Sequence, residues 1–272
     1  QTEAEYRIRK RGWHMHVVKE LWEYREMTAN LVKRDLKSRY KGSVLGFFWM
    51  FLNPLLQLAV YTVVFSTIMK MGIDRFYLFM FVAFVPWLFF STCLSSGTTV
   101  VFAQQDIVKK IYFPREVLPI SYVTSQFTNM LLSFIVIFIV LIFSGYSLNV
   151  WAILCLPVIM LIEYALALGL TMIMSAVTVY FRDVEYILGI LAMAWQFLTP
   201  VMYAVEQVPS KMRWLFSFNP MTYVITAYRD ILYNGEIPKF ETLFSSAATG
   251  IAVLLIGWIL FDCLQKRFAE EL

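Results

Sequence analysis

QQDIVKKIYFPREVLP, residues Gln104–Pro119, decides how this chain is built. It stands between two long uncharged stretches: Phe76–Gln105 and Val117–Ile162 contain no Asp, Glu, Lys or Arg. Within it Asp106, Lys109, Lys110, Arg115 and Glu116 crowd into the eleven positions from 106 to 116. Ile107, Val108, Ile111 and Tyr112 fall at i, i+1, i+4 and i+5, one stripe of a short helix. Pro114 bars that helix from continuing and pushes Phe113 towards extended geometry. A helix this short is unstable alone in water and needs a surface to dock on. Our reading is that the surface belongs to another protein, which delivers mechanical work through the loop. The alternative is an amphipathic loop resting on lipid headgroups.

Working outward, composition names the solvent. Of 272 residues 60% are hydrophobic and 15% charged, against roughly 25% charged in soluble domains. One water-soluble core cannot hide that much apolar side chain, so the bilayer is expected to surround it. Residues 1–43 hold eleven Lys/Arg and lack the apolar run of a signal peptide. Trp13, Val17, Leu21, Tyr24, Leu31 and Val32 recur there near helical period, which predicts a basic amphipathic helix lying in the headgroup plane. A nucleic-acid-binding arm is disfavoured, because these cations adjoin a membrane span and no recognition motif follows. His14 and His16 read as solvated surface, and Cys93, Cys155 and Cys263 as small buried hydrophobes, so no metal site is expected.

The apolar runs predict six spans. The first is Val44–Met69, interrupted by Asn53-Pro54, and the second is roughly Phe76–Phe102. Val117–Ile162 would be about 69 Å long as one helix, so it must turn, and Ser144-Gly145-Tyr146-Ser147 is the place. That yields spans three and four at Val117–Phe143 and Trp151–Val179. Span five starts near Tyr186 and meets Pro200; span six covers Thr242–Phe261. Between them, Trp214–Tyr228 is uncharged but only 15 residues long and is split by Asn219-Pro220. Two short helices that dip into the outer leaflet and return fit this segment, residues 201–242; a compact outer loop is the alternative. Six spans put both termini on one side with 17 of the 23 Lys/Arg, which makes that side cytoplasmic. The fold class is therefore an all-α polytopic membrane protein: a cytoplasmic N-terminus over 1–43, then a transmembrane domain over 44–272.

The chemistry of an enzyme is absent. There is no G-x-x-x-x-G-K-[ST], no H-E-x-x-H and no Ser/His/Asp set, since both histidines precede the first span. No catalytic residue and no cofactor is assigned to this chain. Scattered acidic residues argue against a membrane-bound glycan-processing enzyme, and scarce intramembrane charge against an ion-coupled transporter. Glu163 is the exception, about twelve residues into span four; it is either a pathway residue or paired with a polar neighbour. Asp262 is expected to snorkel or pair with Lys266 or Arg267. Tyr61, Trp195, Phe197 and Tyr203 lie in or just beyond spans one and five. Aromatic rings there could stack on the C–H faces of sugars, although packing or lipid contact is the ordinary role of any one of them.

Four stretches carry a resemblance: DLKSRYKGSVLGFFWMFLNPLLQ (Asp35–Gln57), IVKKIYFPREVLP (Ile107–Pro119), YFRDV (Tyr180–Val184) and FNPMT (Phe218–Thr222). Together they resemble the membrane subunits of type-2 ABC exporters of lipid-linked polysaccharide, of the wall teichoic acid (TagG/TarG) or O-antigen (Wzm) type, with overall likeness favouring teichoic acid. The resemblance runs nearly end to end and in order. It implies a coupling helix at 104–114, made by Gln105, Asp106, Ile107, Val108, Lys109, Lys110, Ile111, Tyr112, Phe113 and Pro114, seated in a groove of a separate ATPase. It implies two permeases and two ATPases, with ATP and Mg held by the partner. It further implies an undecaprenyl-type lipid-linked glycan as substrate and a place in the bacterial plasma (inner) membrane. Spans one and five of two copies would line the path, with Asn53, Tyr61, Trp195, Phe197 and Tyr203 on it. Phe218, Asn219, Pro220 and Tyr223 would belong to the outer gate, within Phe218–Asn234.

Overall fold

A computed structural model describes residues 19–68, 72–146 and 149–272. Among the described residues the chain is helix and turn, without a strand. Trp13, His14, His16 and Val17, and the Met69 end of the first span, lie outside the described residues. Helix α1 covers Arg25–Tyr40, and α2 covers Trp49–Thr62, continued by a wider π turn over Val63–Ile68. Helix α3 is Phe76–Ser95 and runs on through short turns to α4, Gln105–Lys110. Helices α5 (Val117–Phe143) and α6 (Leu156–Tyr180) form the next pair, with Gly145 at φ 66° in the turn between them. Then come α7 (Val184–Phe197), α8 (Arg213–Phe218), α9 (Pro220–Arg229) and α10 (Phe240–Gln265).

Among the described residues five helical stretches are long and apolar enough to cross a membrane: Trp49–Ser66, Phe76–Lys110, Val117–Phe143, Val150–Tyr180 and Phe240–Gln265. Span three has the expected limits, because nothing inside it breaks a helix and Ser144-Gly145 does. Span one begins later than expected. A tight 3₁₀ turn at Gly46–Phe48, with Gly46 at φ 48°, holds Val44 and Leu45 outside the helix. The expected fifth span is the largest departure. Helix α7 has only 14 residues, about 21 Å at 1.5 Å per residue, short of the ~30 Å hydrocarbon core. It ends in a turn over residues 198–201, which contains Pro200.

Helix α3 is the hub. It is apolar all round, so no face of it gains from solvent, and fifteen of its twenty residues are buried. Tyr61 of α2 meets Phe84 edge-on, Phe127 of α5 meets Phe89, and Trp195 of α7 meets Phe90, with ring centroids 5.2, 5.8 and 5.3 Å apart. Thr171 of α6 donates to the Cys93 carbonyl, 3.2 Å away. Before and along α1, Leu21, Tyr24, Met27 and Leu31 pack on the core. Near its end Asp35 pairs with Arg39 at 3.1 Å and accepts from Ser125 of α5.

Helix α10 lies along α6 by a different device. Its buried residues are Ser246, Gly250, Gly257 and Phe261, one narrow stripe. A Cβ on Gly169 of α6 would sit 2.6 Å from the Leu254 backbone nitrogen, and one on Gly257 would strike the Gly169 carbonyl. Missing side chains let the two backbones touch, the small-residue packing by which helices associate where lipid removes the hydrophobic drive. Ile251, Leu255, Ile256 and Ile259 on the other faces are exposed, as lipid-facing residues are.

Candidate functional site

Two junctions, one at each end of the bundle, gather most of the residues singled out in the sequence. The first joins the loop after α4 to the end of α10. Helix α4 stops at Lys110, and Ile111 is already extended at φ −129°, ψ 135°. The expected helix to Phe113 is therefore three residues too long. Pro114 has no N–H to give the Lys110 carbonyl, and its ring would clash with that carbonyl, so the helix yields one turn before the proline. The early stop also splits the expected stripe. Val108 is buried and Ile107 half-buried, whereas Ile111 is 59% and Tyr112 87% exposed. Phe113 turns back into the core while Asp106, Lys109 and Lys110 stay exposed. Gln105 and Pro114 are half-buried at the two limits of the loop.

The loop is tied to the last helix. Arg115 donates to the Gln265 carbonyl and stands 5.8 Å over the Phe268 ring. The Gln265 amide donates to Glu116 at 2.6 Å and to Asp262 at 3.1 Å. Asp262 thus has a hydrogen-bond partner that the sequence reading did not name. Tyr180, closing α6, donates to the Leu264 carbonyl at 2.8 Å. Burial raises the Glu116 carboxyl above the usual carboxylate range, opposed by the Gln265 bond, and lowers Arg115. A cavity of about 580 Å³ opens between Lys109–Glu116 and Asp262–Lys266.

The second junction is built on Asn219, the residue between α8 and α9. Its Oδ1 accepts from the Trp195 indole at 2.9 Å and from the Met221 amide at 3.0 Å, capping α9, with Pro220 at the first helical position. Its Nδ2 donates to the Leu198 carbonyl and the Thr199 hydroxyl, both at 2.9 Å. All four hydrogen-bonding positions of this buried amide are filled, and they fasten the end of α7 to the α8–α9 turn. Tyr203 donates to the Phe197 carbonyl, and its own carbonyl accepts from Arg229 at 3.2 Å. Arg229 is buried: it also reaches the Val201 carbonyl at 2.7 Å and lies 3.6 Å over the Phe79 ring. Phe218 and Phe197 are exposed, and Tyr223 is half-buried with its hydroxyl on the Ser217 carbonyl at 3.0 Å. Tyr233 completes this end by donating to the Asp74 carbonyl at 2.6 Å.

The structure therefore brings Trp195, Asn219 and Pro220 together, and Phe197 with Tyr203. It does not bring Asn53 or Tyr61 to them. Asn53 is exposed on α2 and accepts from Gln57 at 2.9 Å, while Tyr61 packs on α3. Between the junctions, Glu163 is fully buried and its Oε2 accepts from Tyr228 of α9 at 2.7 Å. Nothing in the sequence marks Gln265 or Tyr228 for these roles, and Arg115 stands there only as one of five charges in the loop. The bonds Arg115–Gln265 and Tyr228–Glu163 span 150 and 65 residues, so no local spacing announces them. Arg229 has a local signal, since it is the cation that closes the uncharged run Trp214–Tyr228.

Residues 28–233 match the family model described as ABC-2 type transporter. The O-antigen export system permease protein RfbA of Myxococcus xanthus is 36% identical over 260 residues, 95% of this chain and 100% of the relative. A protein of the same name from Klebsiella pneumoniae is 31% identical over 91% of this chain and 95% of its own length. The polysialic acid transport protein KpsM of Escherichia coli is 22% identical over 90% of this chain and 96% of its own length.

Proposed function

The chain belongs to the ABC-2 type transporter membrane family, and we propose that it is the permease subunit of an exporter of an O-antigen-type lipid-linked polysaccharide. Its relatives are transport permeases, not enzymes, and those named after a substrate carry O-antigen or polysialic acid. These names favour the O-antigen alternative over the teichoic acid reading, which they do not support. The working unit is two copies of this chain and two ATPase subunits, which hold ATP and Mg, in the bacterial inner membrane. Both termini are cytoplasmic. Helix α7 and the turn after it make the remaining crossing, to give six, and α8 and α9 are re-entrant.

One observation carries the proposal: the loop of Ile111 and Tyr112 stands out from the end of the bundle beside Lys109 and Lys110, with apolar surface that its own fold leaves uncovered. A partner groove supplies that cover. ATP-driven closure of the two partners pushes both loops, and the shift opens a glycan path past α2 and α7 that the Asn219 junction closes on the outside. Asn53, Tyr61, Trp195, Phe197 and Tyr203 line the path in this reading, and Phe218, Asn219, Pro220 and Tyr223 form its outer gate.

The test is to purify the chain alone and with its ATPase, in lipid, and measure ATP hydrolysis with and without undecaprenyl-linked O-antigen. The chain alone is expected to show no turnover, and the complex to be stimulated by the glycan. A stable complex whose hydrolysis and transport ignore every lipid-linked glycan would overturn the proposal.

A further inference from the structure

Between α1, α2, α3 and α5 lies a cavity of about 150 Å³ that neither junction uses. An apolar cavity of roughly this volume holds one benzene, so a single six-membered ring is the size of guest it takes. Its walls are mixed. Trp49, Met50, Phe89 and Met130 are apolar; Asn53, Thr92, Gln126, Asn129 and Ser133 are polar. Gln126 is buried. Arg39 donates to its Oε1 at 3.1 Å, and because a guanidinium only donates, the amide orientation is fixed and Nε2 is left over. That Nε2, and the Asn129 Oδ1 one helical turn on, are buried without a partner among the described residues. They stand about 14 and 18 Å along α5 from its start, inside an apolar span where an unanswered polar group is costly.

The charge of the cavity is cancelled. Arg39 spends Nε and Nη2 on Asp35, at 3.2 and 3.1 Å, and Nη1 on Gln126. Among its buried side-chain atoms that leaves the Gln126 Nε2 donor and the Asn129 Oδ1 acceptor, both neutral, beside aromatic walls. Adjacent hydroxyls of a sugar present an acceptor and a donor side by side, and the C–H face of the ring suits Trp49 or Phe89. We infer that this chamber binds one uncharged pyranose unit. The Gln126 amide donates to one sugar hydroxyl, and Asn129 Oδ1 accepts from its neighbour. Asn53, exposed on α2, marks the chamber's open side. The inference rests on the polysaccharide-exporter reading for the origin of the sugar, and adds a subsite away from Trp195 and the gate.

The experiment is saturation-transfer NMR on the full chain in nanodiscs, without ATPase, using methyl glucoside, mannoside and galactoside, with inorganic phosphate as a charged competitor. Transfer to sugar ring protons is expected, unaffected by phosphate, and binding is expected to weaken about fivefold or more in Gln126→Leu or Asn129→Leu. Trp151→Phe, exposed at the far end, should leave it unchanged. Absence of transfer in the native chain, equal transfer in all variants, or displacement by phosphate would each overturn the inference, the first meaning that water alone fills the chamber. If the leucine variants do not fold, a Ser133→Cys chain lacking its three native cysteines decides instead: glycoside must slow thiol modification at position 133. Sugar binding in a chain that recruits no ATPase would sink the exporter reading and leave the chamber standing.

Discussion

The two ends of this bundle solve opposite problems. At the Asn219 junction every polar position of the central amide is answered inside the chain. At the other end, the loop after α4 is bonded firmly at its base through Arg115 and Glu116 while its tip, Ile111 and Tyr112, is left bare. The difference teaches where the chain is complete and where it is half of something. Saturated hydrogen bonding in a buried site gains nothing from a partner. Apolar side chains held out from a fixed base do, because covering them removes apolar area from water without first ordering the loop.

The contrast breaks most visibly at Asn219. Asn219→Ala leaves the Trp195 indole and three other groups unanswered, and about 4 kcal/mol of stability is expected to go, given 1–3 kcal/mol for each buried group so stranded. Thermal unfolding in detergent would show it, and a melting temperature within 2 °C of the native chain would mean that the junction is not a closed structure. Next in size, Ile111→Ser with Tyr112→Ser should weaken ATPase binding by roughly 100-fold, the scale of losing interface anchors. Its unfolding should move little, since exposed substitutions cost about ±0.5 kcal/mol. The reverse pattern, stability lost and affinity kept, would erase the distinction between the ends. Lys109→Glu with Lys110→Glu is expected to slow complex formation about tenfold and to uncouple hydrolysis from export; stopped-flow mixing at two salt concentrations measures the first.

The smallest effect sharpens the base of the loop. The folded chain holds Glu116 raised, so between its unfolded and folded titration points the folded state binds the extra proton. Stability from this group is full below the unfolded value, near pH 4.3, and falls as pH rises towards the folded one. Glu116→Gln keeps an acceptor for Gln265 and should flatten that slope in melting temperature measured from pH 4 to 8.

Much of this was legible in the residues, and the failures have physical causes. Spans three and four and the split at Asn219-Pro220 follow from charge-free length and from breakers, which act locally. The same logic placed the stop of α4 at Pro114 but set it too late, because a proline's clash falls four residues upstream. Span five is expected from near Tyr186 to Pro200, and the helix found there, Val184–Phe197, stops one turn short of that proline and is too short to cross by itself. The residues that the sequence hid are those whose partners lie far along the chain. Arg115 and Gln265, or Glu163 and Tyr228, are ordinary polar residues until folding sets them side by side. Trp195 was singled out for its ring, yet its indole N–H is what ties it to Asn219.

The glycine seam between α6 and α10 has a mechanical meaning. Gly169 and Gly257 let two backbones meet with no side chain between them as a cushion. Arg115 grips the lower tip of α10, and Tyr228 reaches α6 from the far side through Glu163. If the loop is pushed as proposed, the pair would serve as a push-rod without slack, since no side chains lie between the two backbones at this seam to absorb the shove by repacking.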